Sequence, residues 1–182
     1  MRKVIVLFFI FFTINTKIKG QIYYTKNGSI SFFSKTIMED IDAENSQVIS
    51  VLNIQTGLLQ FSLLNQAFHF PKAKMEDDFN ENFMESDKYP RSSFKGMITD
   101  VGNINFTKDG TYKVNVTGNL EIHGVVKNIT IPGTITIKNE NISATSSFSI
   151  LVKDFNIKIP SIVTNKIAES IEVNVKCDYE KK

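Results

Sequence analysis

Tryptophan is absent, cysteine occurs once and histidine twice in this chain of 182 residues. The lone Cys177 cannot form an intramolecular disulfide, so a domain of this length must be held by its core. Cys177 alternates with Ile171, Val173 and Val175, which makes it a core residue rather than a reactive thiol. Two histidines and one cysteine give no zinc-ligand spacing. Nucleophilic catalysis needs a nucleophile beside an oriented base, and neither His69 nor His123 belongs to a recognisable motif. His69 lies between two phenylalanines and reads as a rim residue. His123 sits in EIHGVV at a strand-to-turn junction and reads as a surface or hydrogen-bonding residue. The acids Glu76, Asp77, Asp78, Glu81, Glu85 and Asp87 lack the spacing and central glycine of an EF-hand loop, and a solvated helix face accounts for them. No catalytic residue, metal site or cofactor is expected, and the chain is not read as an enzyme.

A strong charge imbalance is missing too. The formal charge is +2, and residues 1–20 hold four of the 21 Lys and Arg and none of the 19 acids, so the remainder carries −2. Such a domain has no basic footprint for nucleic acid. The run Val4–Phe12 is unbroken and apolar, yet short for a bilayer span, and Arg2 and Lys3 precede it. This is the pattern of a secretory signal peptide. Cleavage after Gly20 is expected, leaving a domain of residues 21–182 in the periplasm or outside the cell. No cysteine follows the run to carry a lipid.

What the chain does have is alternation. Tyr112, Val114, Val116, Gly118, Leu120 and Ile122 interleave with Lys113, Asn115, Thr117, Asn119, Glu121 and His123, so one face of a strand is apolar and the other wet. Ile129 to Ile137, Ile142 to Ile150 and Ile171 to Val175 repeat the pattern. Turn residues stand at Thr56-Gly57, Lys108-Asp109-Gly110, His123-Gly124 and Lys138-Asn139. Short connections favour an up-and-down antiparallel sheet, and closing it into a barrel removes its edges. The same alternation generates Asn-x-Ser/Thr triplets at Asn27, Asn105, Asn115, Asn128 and Asn141 without any need for sugar.

The segments Val48–Ile54 and Leu58–Leu64 carry apolar residues of both parities, which predicts burial on both faces. Ile157–Ile159 reads as a strand ended by Pro160, and 163–168 as a short helical turn. One stretch, PKAKMEDDFNENFMESDKYPRSSFKG from Pro71 to Gly96, interrupts the alternation. Met75, Phe79 and Phe83 recur every four residues and share one face of a short helix, with Glu76, Asp77 and Glu81 on the wetter side. Tyr89-Pro90 ends it, because proline disfavours helical geometry in the residue before it.

With SISFFSKT (Ser29 to Thr36), FNENFMESDKYP (Phe79 to Pro90), FKG (Phe94 to Gly96), DGTYKVNVTGNLEIHGV (Asp109 to Val125) and DFNIKIP (Asp154 to Pro160) in this order, the chain resembles the YceI-like proteins, whose bacterial members bind polyisoprenoid lipids. The resemblance implies an antiparallel, lipocalin-like barrel around a long apolar pocket, all-β with a short helical insert between strands. It implies a long-chain isoprenoid-type lipid as partner, with transient membrane contact and no chemical step. Many relatives place a histidine where this chain has Asp78, so no role of that histidine is carried over. The apolar parity assigns Phe94, Ile98, Val114, Val116, Leu120, Ile129, Ile131 and Phe148 to the lumen, and the four-residue spacing puts Phe79 and Phe83 on a helix covering the barrel or its mouth; these ten are the candidate ligand-binding residues. A barrel of about eight strands is also able to fill its interior with side chains. That reading would make the domain a structural or protein-interaction module of the cell envelope.

Overall fold

A computed structural model of the chain describes residues 21–163 and 165–182. The expected secretory segment, residues 1–20, lies outside the described residues. Eight strands, β1 (Ile22–Lys35), β2 (Asp40–Asn53), β3 (Leu58–Leu64), β4 (Arg91–Ile98), β5 (Gly110–Ile122), β6 (Val125–Lys138), β7 (Asn141–Leu151) and β8 (Ser170–Lys181), follow one another round a closed antiparallel barrel. Strand β8 pairs back onto β1. The fold is therefore the all-β barrel with a short helical insert that the pattern predicts, in the lipocalin-like form that the resemblance implies.

Strand β5 follows its pattern along its whole length: even-numbered residues turn inward and odd-numbered ones face water. Its hairpin to β6 turns at His123 and Gly124, with φ of 52° and 71°. Two positive angles in a two-residue loop match the twist of the flanking strands. On β4 and β5, Gly96 and Gly118 stand opposite each other with inward parity. A Cβ on Gly118 would lie 2.4 Å from the Gly96 backbone, and one on Gly96 would lie 2.7 Å from the Phe94 ring. The pair leaves the flat patch of wall beside which that ring lies.

Strand β2 corrects one expectation. Its inward face runs Ile41, Ala43, Asn45 and then Val48, Ser50, Leu52, because the register against β1 shifts near Ser46 and Gln47. A bulge of this kind flips the parity of everything after it. Asn45 fixes the bulge: fully buried, it donates from Nδ2 to the Leu64 carbonyl at 2.9 Å and accepts from the Gln47 N–H at 2.8 Å. The double-sided burial predicted for 48–54 and 58–64 is only partial: the second face is half-buried at Val51 and Leu58 and opens to solvent at its other apolar positions. Ile49 is 47% exposed and Leu64 is exposed as well, while Leu59 and Leu63 are buried.

The second correction concerns residues 152–163. No strand forms at Ile157–Ile159. A 3₁₀ turn, Val152–Phe155, ends at Asn156 in the left-handed region, which turns the chain out of strand direction. Pro160, with no N–H to offer a ladder, follows, and a second 3₁₀ turn covers Ser161–Val163. The expected helical turn thus begins earlier than predicted, though Lys166 N still donates to the Val163 carbonyl at 2.9 Å. Residues 152–163 and 165–168 belong to a strap between β7 and β8.

The two ends of the barrel are built differently. At one end Tyr23, Ile54, Ile98, Ile137, Ile142, Cys177 and Tyr179 are all buried, and the 3₁₀ turn Val101–Asn103 leads into buried Ile104. At the other end the ladders stop short in two places. Strands β2 and β3 pair only from Ile49↔Ser62 to Leu52↔Leu59, and the wall beyond is continued by a bridge from Glu44 to His69. Strands β6 and β7 pair only from Lys138↔Asn141 to Thr134↔Thr145 and then part. Gly133 would come next, opposite Ser146, and Pro132 beyond it has no N–H for a ladder; the Ser146 hydroxyl donates to the Pro132 carbonyl at 2.6 Å. Val152 and Phe155 of the strap, both buried, pack beside the parting.

Candidate functional site

The barrel is not filled. It encloses a cavity of about 820 Å³ whose walls come from every strand, largely from inward-facing aliphatic and aromatic side chains. Leu52, Leu59, Leu63, Ile135, Val173 and Val175 line it, together with nine of the ten residues picked out from the sequence: Phe79, Phe83, Phe94, Ile98, Val114, Val116, Leu120, Ile131 and Phe148. Ile129 does not reach the cavity surface. It stands opposite Gly118 and is half-buried against the surrounding core. Among the sealed-end residues, Tyr23, Ile137, Ile142, Cys177 and Tyr179 form no part of the lining, so the cavity ends above them and opens towards the insert and the strap.

The insert is α1 (Ala73–Asp78) continued by a π-helical turn, Phe79–Phe83. The widened turn has a local cause: the Asn80 side chain bonds the Glu76 carbonyl at 3.0 Å, and Met84 N reaches five residues back to Phe79 at 2.8 Å. Met75, Phe79 and Phe83 all face the cavity, as their spacing predicts. Phe79 is the anchor. Its ring centroid lies 5.5 Å from Phe32 and from Phe68 and 5.1 Å from Phe70, an arrangement of tilted and stacked rings that adds to burial. The base of the insert hangs on Asn65, fully buried, whose amide donates to the Tyr89 carbonyl at 2.6 Å and accepts from the Ser92 hydroxyl at 2.8 Å.

His123 ties three segments together. Its side chain is 9% exposed, with Nε2 2.8 Å from a Glu85 carboxylate oxygen and Nδ1 3.2 Å from the Phe155 carbonyl. The Tyr89 ring lies 4.4 Å from it. The histidine clasps the insert to the strap through the β5–β6 turn, and the sequence gives no sign of this because Glu85 and Phe155 are far away in the chain. At the mouth, Lys72 pairs with Glu39 at 2.8 Å and holds that carboxyl below its usual range, while Asp78, at 2.6 Å, pushes the Lys74 ammonium up. Among the described residues no group of three His, Cys, Asp or Glu is placed to hold a metal ion.

A closed eight-stranded barrel around an apolar cavity defines a class, that of small-ligand-binding barrels. A sequence profile of the YceI-like domain matches residues 10–179, and the chain belongs to the YceI-like family. No curated protein matches the sequence. Among solved structures, the barrel is similar to a polyisoprenoid binding domain from Saccharophagus degradans implicated in plant cell wall breakdown, with a TM-score of 0.76 and 13% identity over 88% of this chain and 98% of that one. It is also similar to Burkholderia cenocepacia BcnA, with a TM-score of 0.67 and 16% identity over 84% and 96%. A Campylobacter jejuni YceI protein gives 0.60 and 16% over 77% and 84%. At such identities the likeness is one of fold.

Proposed function

We propose that this protein is an exported carrier that takes a polyisoprenoid or similar long-chain lipid into the barrel cavity, with no chemical step. The observation that carries the reading is the cavity of about 820 Å³, apolar, ending above the sealed end of the barrel and open towards the insert. The family membership and the polyisoprenoid-binding relative point to the same ligand class. A cavity of about 150 Å³ accommodates benzene, or ~25 Å³ per carbon. On that scale the space here fits a tail of roughly 30 carbons, about six isoprene units.

Energy decides what such a cavity is able to select. Moving one isoprene unit out of water gains about 3–4 kcal/mol, but a prenyl lipid lives in a membrane and is already out of water. Transfer from bilayer to barrel is therefore close to neutral in hydrophobic terms, and selection falls to cavity length, ring packing and the polar groups near the mouth. Ser34, Asn65, Asn82 and Ser92 are such groups. Export rests on the basic start and apolar run of residues 1–20, and places the carrier in the periplasm or outside the cell. The test is a solvent extract of gently purified protein, analysed by mass spectrometry. A long-chain isoprenoid or related lipid in equimolar amount is expected; an extract empty of lipid, with no uptake of a fluorescent prenyl analogue, overturns the reading.

A further inference from the structure

We infer that the rim of the cavity is a membrane-docking surface, where the β1–β2 hairpin tip inserts Ile37 and Met38 among the headgroups of an anionic bilayer while Lys158 and Lys166 face those headgroups. The inference rests on the carrier reading and names the surface from which the ligand is taken. Ile37 is fully exposed, at 106%, and Met38 is 62% exposed. Neither lines the cavity. Two large apolar side chains held in water at the tip of a hairpin cost solvation and serve no core. Their position gives them a use, because the tip stands at the open end and touches both elements that flank the opening.

Three contacts fix it there. Glu39 takes Lys72 at the start of α1 at 2.8 Å, Asn165 of the strap donates to the Met38 sulfur at 2.8 Å, and the Ala168 N–H donates to the buried Ser34 hydroxyl at 2.9 Å. The tip also has its own internal brace, with the Thr36 hydroxyl bonded to the Glu39 carbonyl at 3.0 Å. A bilayer that accepts Ile37 and Met38 therefore meets the mouth itself, and a lipid tail passes between the two without crossing water.

Charge selects the occupant. The charged residues lining the cavity are four lysines, Lys72, Lys74, Lys158 and Lys166, and two acids, Glu39 and Asp78. The acids are taken by Lys72 and Lys74. Lys158 and Lys166 form no ion pair among the described residues, although Lys166 lies near enough to help hold Glu39 low. Lys35 at the hairpin faces Asp40 across the turn and adds no net charge. The lining of the cavity thus carries an excess of two positive charges, Lys158 and Lys166 of the strap, on a domain whose residues 21–182 sum to −2, while the further acids Asp77 and Glu81 lie by Lys74 on the insert. Exposed apolar residues flanked by lysines are the composition of an interfacial anchor, with each lysine near an anionic surface worth about fivefold in affinity.

Because the chain has no tryptophan, Ile37→Trp supplies a single reporter. Its emission is expected to shift to the blue on vesicles of phosphatidylcholine and phosphatidylglycerol mixed equally, and much less on phosphatidylcholine alone. An Ile37→Ser, Met38→Ser double variant should lose about tenfold in vesicle partition, and keep the affinity of the wild type for a fluorescent prenyl analogue in solution. Lys158→Gln and Lys166→Gln should each lower partition onto the anionic vesicles by about fivefold. A reporter that stays in water on both vesicles, or partition indifferent to the tip residues, overturns the docking surface. Docking that persists in a protein that takes up no prenyl analogue sinks the carrier reading and leaves the surface standing.

Discussion

The two ends of this barrel contain similar kinds of residue and do opposite things with them. At the sealed end Tyr23, Ile54, Ile98, Ile137 and Ile142 are buried in one cluster, and the Ser50 and Tyr179 hydroxyls share a 2.7 Å hydrogen bond. At the open end Phe32, Phe70 and Phe79 are only half-buried, ion pairs such as Lys72–Glu39 are solvated, and the insert is held to the strap by one histidine. Solvated ion pairs contribute little to stability, and elements with few buried contacts open at low free energy. The difference separates two tasks: the sealed end keeps the molecule folded, and the open end is loose enough to admit a ligand.

Three substitutions and a titration sharpen or break this division. Val116 lies midway, buried on β5 between Ile98 and Ile131 of the neighbouring strands. An unpaired carboxylate there costs several kcal/mol, so Val116→Asp is expected to unfold the domain or leave it unable to hold lipid. A soluble Val116→Asp protein that extracts with its lipid would mean that this face of β5 is not the lumen. Next come paired changes at the two ends. Ile142→Ala should cost about 2–5 kcal/mol in denaturant melts, with ligand exchange unaltered. Phe79→Ala should cost less, about 1–3 kcal/mol, yet speed both loading and loss of a fluorescent prenyl analogue. Equal exchange rates in the two variants would abolish the distinction between the ends.

The titration is a pH dependence confined to alkaline solution. Burial pushes the Cys177 thiol up from 9.0 to about 12, so in the unfolded chain it loses its proton first. The stabilisation is fully present below pH 9.0 and drains away as pH climbs towards about 12. Melting temperature should fall over that window by more than in Cys177→Ser, and reductant should leave it unchanged. A thiol that reacts rapidly with a maleimide in the native protein at neutral pH would contradict the burial.

The wall was legible where one residue follows another in strict alternation. From Tyr112 to Ile122 and from Ile171 to Val175 the inward set is what hydrophobic parity alone dictates, and the Met75, Phe79, Phe83 stripe faces the cavity despite the π turn. Parity failed in β2 and β3, where Ile49 and Leu64 are apolar yet stand on the outward face, so that strands whose fully buried residues share one face look buried on both. It failed again at Ile157–Ile159, where the apolar residues line a mouth instead of a ladder and the left-handed Asn156 sets the direction. The clasp at His123 and the lysine excess at the mouth join residues from separate hairpins, and no local pattern in a sequence encodes such a meeting.

The short ladders at the open end also bear on how such a molecule changes over generations. Where β6 parts from β7 the wall is continued by the side chains of Val152 and Phe155, and beyond β3 by Phe68 and the residues around His69. A substitution at Val152 or Phe68, both of which line the cavity, resizes the opening without removing a single strand-to-strand hydrogen bond. Variation in the girth of the cavity is thereby uncoupled from the inheritance of the fold. One half of the barrel is free to drift towards a new ligand while the other continues to specify the same architecture.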